Sequence, residues 1–333
     1  MTTTRRLLTL VAALALIVSA CSGSDTDGPI TLYSGRSEDL IQPLIDDFTA
    51  ATGIEVEVRY GDSAELAATL LEEGGNSPAD VFLTQDPASI GVVANDGLLR
   101  SLDDSLVSPV DARFRDPNNL WVGVSGRARV VVYDATVVDP ATLPDTEDGF
   151  TAPEWEGRVG IAPTNGSFLS FVAAKILLDG EEATRTWLDG MAANGQPAYA
   201  KNSVIVEAVD GGEVPTGLVN HYYLFRRAAE IGDVNAANHF LSGGAGTLVM
   251  PAGIGIVDST DQTDDAEALI GYLLGADAQR YFADETFEYP LAGDVEANSD
   301  LPPLSSLSSP DIDLSALATV LGRATDLVTE AGL

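Results

Sequence analysis

Cysteine is almost absent from this chain, and histidine nearly so: one Cys and two His among 333 residues. A lone cysteine cannot close a disulfide within the chain. It also excludes thiolate metal sites, iron–sulfur clusters and a cysteine-based catalytic centre once Cys21 is otherwise engaged. Two histidines argue against a His-rich zinc or copper site. Cations are scarce as well: Lys and Arg number 17 against 51 Asp and Glu, for a formal charge of −34. That imbalance disfavours nucleic acid and anionic membrane surfaces as partners. It fits solubility in a salty medium, or attraction of a cationic ligand. In strong salt the Debye length shrinks to about 3 Å, so steering over distance would be slight. Neither a Gly-x-Ser-x-Gly elbow nor an HExxH motif occurs, which leaves a secreted hydrolase as a remote alternative.

Only one long apolar run exists, and it lies at the start. Arg5 and Arg6 precede Leu7–Ala20, too short to span a bilayer and typical of a signal-peptide core. It ends in Val18-Ser19-Ala20-Cys21, a lipobox pattern. Residues 1–20 are therefore expected to be a signal peptide, with Cys21 lipidated. Residues 21–28 would form a polar tether. The exported protein would sit on the outer face of the cytoplasmic membrane or in the periplasm, touching membrane through its lipid anchor only. The paired arginines weakly suggest twin-arginine export.

From Pro29 onward strands and helices alternate, as in α/β layers. Ile30–Tyr33 reads as a strand. Leu40, Ile41, Leu44, Ile45 and Phe48 recur at helical spacing, with a stop near Gly53. Strands are expected at Ile54–Val58, Ala79–Thr84, Arg129–Tyr133, Arg158–Ala162 and Val214–Val219, and strand-like segments at Gly246–Ala252 and Gly255–Val257. Asp62 and Glu65 form a capping-box pattern ahead of a helix. Further helices are expected at Pro87–Asn95, from Ser167 to about Leu178, and at Ser203–Val209 and Tyr222–Ile231. Three more cover Asp265–Leu274, Ala276–Ala283 and Leu314–Thr329. Strand ends near Tyr33, Thr84, Ala162 and Val219 lead into loops before helices, where open α/β sheets bind ligands.

Tyr222-Tyr223 is the most informative pair. Neighbours share no face of a regular helix or strand, yet at a strand-to-helix turn both phenols can meet one centre. A phenol titrates near pH ~10 in water. A trivalent hard cation displaces that proton, and hard oxygen donors suit it. One core and one surface tyrosine is the plainer alternative. Arg127 and Arg36 can fork onto an oxyanion or form structural salt bridges. Asn165-Gly166-Ser167 precedes a helix, so it can hold an oxyanion or simply cap that helix through Ser167. Ser37 has the same choice. Asn202 and Asn220 suit anion contact or an ordinary turn. Gln85 can donate to an anion, and Asp86 is the nearest spare carboxylate. His221 is expected to point away from at least one tyrosine, and His239 to be structural.

Several segments, in order, resemble the bacterial ferric-ion-binding proteins, the type II substrate-binding proteins of iron ABC importers. They are Tyr33-Ser34-Gly35-Arg36, Pro78-Ala79-Asp80-Val81-Phe82, Ser125–Tyr133, Tyr199–Val204, Gly212–Pro215, Asn220-His221-Tyr222-Tyr223 and Glu288-Tyr289-Pro290-Leu291. The resemblance implies a two-lobed α/β fold with a hinge and an interlobe cleft. It implies residues 29–126 and 251–296 in the first lobe and 127–250 and 297–333 in the second. It makes Tyr222 and Tyr223 the paired phenolate ligands of Fe(III), and Arg127 the support of a synergistic anion such as carbonate or phosphate. An ABC importer permease would be the partner of a monomeric, non-enzymatic binding protein. The chain departs from the family at three positions: Ser37 stands where some members have His, Gln85 where they have Glu, and Phe168 where others have a third Tyr. Capture of a free oxyanion such as a phosphonate is the alternative within the binding class.

Overall fold

The computed structural model describes residues 28–333; Cys21, the signal segment and Ser22–Asp27 lie outside the described residues. Among the described residues no helix is long and apolar enough to cross a membrane.

The first stretch runs β1 (Ile30–Ser34), α1 (Glu38–Thr52), β2 (Val56–Tyr60), α2 (Ser63–Glu73), β3 (Val81–Leu83), α3 (Pro87–Asn95) and α4 (Asp104–Val107). α1 buries the expected stripe of Leu40, Ile41, Leu44, Ile45 and Phe48, and ends where Gly53 turns left-handed at φ 79°. Asp62 caps α2 by accepting from the Ala64 N–H. Next comes β4 (Val122–Asp134), then β5 (Val159–Gly160), α5 (Gly166–Asp179), α6 (Glu181–Ala193), α7 (Asn202–Asp210), β6 (Thr216–Asn220), α8 (Tyr222–Ile231) and β7 (Ala236–His239). The chain closes with β8 (Val249–Ile256), α9 (Thr263–Leu273), α10 (Ala276–Asp284), β9 (Tyr289–Pro290) and α11 (Leu317–Glu330).

The strands order as β2-β1-β3-β8-β4-β6-β5, with β7 and β9 also on β4. β4 organises the molecule. All of its residues are buried, which requires cover on both faces. Its first half, Val122–Ala128, pairs with β8, and its second half, Arg129–Tyr133, pairs with β6. β1 pairs parallel with β2 and β3, and β5 with β6. The carboxyl ends of β1 and β3 thus open from one half and those of β5 and β6 from the other. α11 packs against α3 of the first half and α5 of the second.

Several expectations shift. The strand expected at Val214–Val219 begins at Thr216, because Pro215 has no N–H for a ladder. The two strand-like segments near Pro251 are one continuous strand, β8; the Gly253 carbonyl still accepts from the Thr84 N–H across its edge. α6 and β7 were not expected. α6 has only a thin buried stripe of Thr184, Trp187, Leu188 and Met191 on an otherwise polar helix. The last helix opens with a short 3-10 turn at Leu314–Ala316.

Candidate metal and anion site

A cleft of about 760 Å³ lies where the four strand ends meet. That volume falls within the ~300–1,000 Å³ of small-molecule sites. Ser37 and Gln85 line it from the loops after β1 and β3, Asn165 from the loop after β5, and Tyr222 and Tyr223 from the turn after β6.

The tyrosines are the first two residues of α8, directly after His221. Their rings stack, with centroids 4.1 Å apart and planes 28° from parallel. The strand-to-helix turn therefore places two consecutive phenols side by side in the cleft. Burial, the neighbouring Tyr223 and Glu288 push the Tyr222 phenol well above its usual range, against the pull of Arg36 and Arg127. Without a cation it stays protonated at neutral pH.

His221 anchors this turn rather than joining the pair. It is fully buried. Its Nδ1 accepts from the Ala128 N–H at 3.1 Å, and its Nε2 donates to the Phe287 carbonyl at 2.7 Å. That pattern fixes a neutral ring, and burial pulls its pKa down to about 4. Phe287 holds a left-handed backbone at φ 57°, uncommon for a bulky residue. Its ring stacks on Phe225 of α8 at 5.4 Å.

Behind the tyrosines lies a group of buried charge. Glu288 Oε2 takes the Arg36 Nη2 at 2.7 Å, and Glu288 Oε1 faces the Arg127 Nε at 3.6 Å. All three side chains are essentially inaccessible. Arg127 also donates to the Pro251 carbonyl at 3.0 Å. Even so, Arg36 Nη1 and Arg127 Nη1 are buried without a hydrogen-bond partner among the described residues, as is Arg129 Nη2. A buried N–H left unpaired costs about 1–3 kcal/mol, more when charged, so such donors mark a place for an acceptor. Arg129 sits against Asn220 Oδ1 at 3.4 Å and Ser167 Oγ at 3.5 Å. Burial draws its pKa down to about 10, leaving it cationic.

The remaining candidates divide. Asn165, not Ser167, caps α5: its Oδ1 accepts from the Ser167 N–H and hydroxyl at 3.1 and 2.7 Å. Asn202 donates to both Asn165 Oδ1 and Ser167 Oγ at 3.1 Å. These three form one polar patch beside Arg129. Ser37 stands at the start of α1, but its hydroxyl makes no capping bond. Gln85 turns its amide to the Gly35 carbonyl at 2.7 Å. Gly35 is needed there, since a Cβ would overlap the Ser63 hydroxyl. Asp86 is already engaged. It caps α3 by accepting from the Ser89 N–H and hydroxyl, and it accepts from Ser170 of α5, each at 2.9 Å. Phe168 is core, packed on Phe171 and Trp187. His239 lies on β7, opposite Val131.

Sequence reasoning missed Glu288 and Arg129 as site residues. Glu288 opens the segment Glu288-Tyr289-Pro290-Leu291, an acid wedged between Phe287 and Tyr289. Arg129 opened the β-branched run Arg129–Tyr133, a charge with no surface to reach.

Residues 76–315 match the family described as bacterial extracellular solute-binding protein. The chain is 33% identical over 329 residues to the Fe(3+)-binding periplasmic protein of Serratia marcescens, covering 97% of this chain and 96% of that one. It is 34% identical over 332 residues to the major ferric iron-binding protein of Neisseria meningitidis serogroup B, covering 97% and 98%. Among solved structures, iron-bound HitA from Pseudomonas aeruginosa is similar at a TM-score of 0.87 and 31% identity, covering 92% of this chain and 99% of that one.

Proposed function

The chain belongs to the bacterial extracellular solute-binding proteins, in their ferric-ion-binding group, and from that premise we propose that it captures Fe(III) between Tyr222 and Tyr223 and delivers it to an ABC importer permease. Its fold is the two-lobed type II α/β architecture of that group, and it is a binding protein rather than an enzyme. The observation that carries the iron reading is the stacked phenol pair, 4.1 Å between centroids, at the mouth of α8.

The chemistry follows from the residues. Each phenol loses its proton to the cation and becomes a hard anionic donor. The buried guanidinium groups of Arg36 and Arg127 offset the phenolate charge. Their unpartnered N–H groups, with the Asn165–Ser167–Asn202 patch and Asn220, receive a synergistic oxyanion such as carbonate or phosphate. Ser37 and Gln85 supply at most weak, neutral donors. With walls from both halves of β4, ligand and anion together favour closure of the cleft. The proposal extends to an exported monomer, lipid-anchored through Cys21 on the outer face of the cytoplasmic membrane or periplasmic. The halves meeting at Ala128/Arg129 and at Val249 suit a hinge between lobes.

Metal-free protein titrated with Fe(III) in bicarbonate should develop a visible phenolate-to-iron charge-transfer band, and a Tyr222→Phe/Tyr223→Phe variant should show none. The unpartnered arginines also favour a second reading, capture of a free oxyanion such as a phosphonate. A colourless protein that takes up a phosphonate without metal would establish that reading and sink the ferric one.

A further inference from the structure

Helix α8 brings more than its phenols to the cleft. Tyr222, Phe225 and Arg226 are three and four residues apart, so they share one face of the helix. Each meets the other half of the molecule. Tyr222 lies in the field of Arg36 and Glu288. The Phe225 ring stacks on Phe287, with centroids 5.4 Å apart and planes 17° from parallel. Arg226 forms an ion pair with Asp39 of α1. α8 follows β6, whereas α1 follows β1. Phe287 stands two residues before β9, which pairs with Ser125 and Gly126 in the first half of β4. These contacts therefore run across the cleft. Arg227, the next residue of α8, differs: it pairs with Asp210 of α7, in its own half, at 2.7 Å.

The character of the crossing contacts suits a junction that opens and closes. Phe225 and Phe287 are only half-buried. The Asp39 side chain stays 57% exposed and that of Arg226 33%. A permanent interior pair is shut away from water, as Lys175 with Glu147 is. Burial works against the Asp39 carboxylate, but the Ser37 hydroxyl and Arg226 outweigh it and hold its pKa below the ordinary value. Phe287 accepts its left-handed backbone, φ 57°, while presenting its ring to Phe225 and its carbonyl to His221. Backbone strain of this kind persists where position matters to function.

We propose that Phe225 and Arg226, set against Phe287 and Asp39, are the latch of the closed cleft: positioning residues that touch no ligand and set how long it is held. The latch rests on the reading that the cleft closes over ferric iron. It gives Ser37 a task away from the metal, the support of Asp39. Its two parts respond differently to salt. A partly exposed ion pair is weak and screened, whereas stacked rings carry no net charge.

The test times iron release. Full-length protein loaded with Fe(III) in bicarbonate is mixed with excess ferric chelator, and loss of the visible band is followed at about 0.01 M and about 1 M salt, where the Debye length is ~30 and ~3 Å. Arg226→Gln should speed release about threefold in dilute salt and much less in strong salt. Phe225→Ala should speed it about tenfold in both. Arg227→Gln removes the same charge from the same helix and should leave the rate unchanged. The swap Asp39→Arg/Arg226→Asp should return the wild-type rate in dilute salt. Circular dichroism checks folding; should Phe225→Ala not fold, Phe225→Leu should show a smaller acceleration. The latch is overturned if Arg226→Gln changes nothing in dilute salt, or if Arg227→Gln matches it. A wild type that takes up no iron sinks the ferric reading alone. The latch is then read from small-angle X-ray scattering of the metal-free protein in dilute salt: Arg226→Gln should enlarge the radius of gyration, and an unchanged radius would overturn it.

Discussion

Two groups of buried charge in this protein are finished differently. Around Lys175 everything is paired: its ammonium donates to Glu147, Asp148 and Asp179 at 3.1, 2.6 and 2.7 Å. Glu147 in turn accepts from the Ala245 and Gly246 N–H groups at 3.0 Å. The three carboxylates could suggest a cation site, but Lys175 already occupies their centre. Those ion pairs raise the Lys175 pKa despite its burial. Around Glu288 the reverse holds. One carboxylate serves two arginines, and among the described residues Arg36 and Arg127, like Arg129 further along β4, keep donors without a partner. A saturated network fixes a structure; an unsaturated one of equal burial is held ready for a ligand.

That contrast can be tested. Lys175→Met should be the costliest change, about 3–5 kcal/mol in urea unfolding, because a buried charge loses its partner; no added anion should restore it. Glu288→Gln removes the shared counter-ion and should cost about 3 kcal/mol. Here millimolar citrate or phosphate should return a measurable part, since anions bind the exposed need of the folded state only. Equal rescue of both variants would erase the distinction. The next effect concerns pH. His221 stays neutral when folded down to about pH 4, whereas its unfolded form takes a proton near its ordinary value of 6.5. The unfolded state therefore binds more protons between those values, and stability falls as pH drops through that window. The full loss is about 3 kcal/mol. His221→Gln should flatten that part of the stability–pH curve in the metal-free protein; an unchanged slope would mean His221 is not buried neutral.

How much of this was legible beforehand depended on sequence distance. Tyr222-Tyr223 was readable because its chemistry and its strand-to-helix turn are local. The strand ends converging on the cleft were readable from alternation alone. Glu288 was not, since its partner Arg36 lies 252 residues away. Arg129 was hidden because a charge inside a Val-rich strand resembles core until its neighbours are placed. Ser167 was the cap expected for α5; the role fell to Asn165, which adopts the extended backbone, φ −77° and ψ 135°. Asp86 read as a spare carboxylate because Ser170, its partner on α5, is 84 residues distant.

Both neighbouring phenols are proposed to bind one ferric ion. Resonance Raman spectra of the iron-loaded protein, excited within the visible band, test it directly. Enhanced tyrosinate ring modes should appear, weaken in each single variant, Tyr222→Phe and Tyr223→Phe, and vanish in the double. Iron-loaded protein lacking those modes, or keeping them in the double variant, would contradict it.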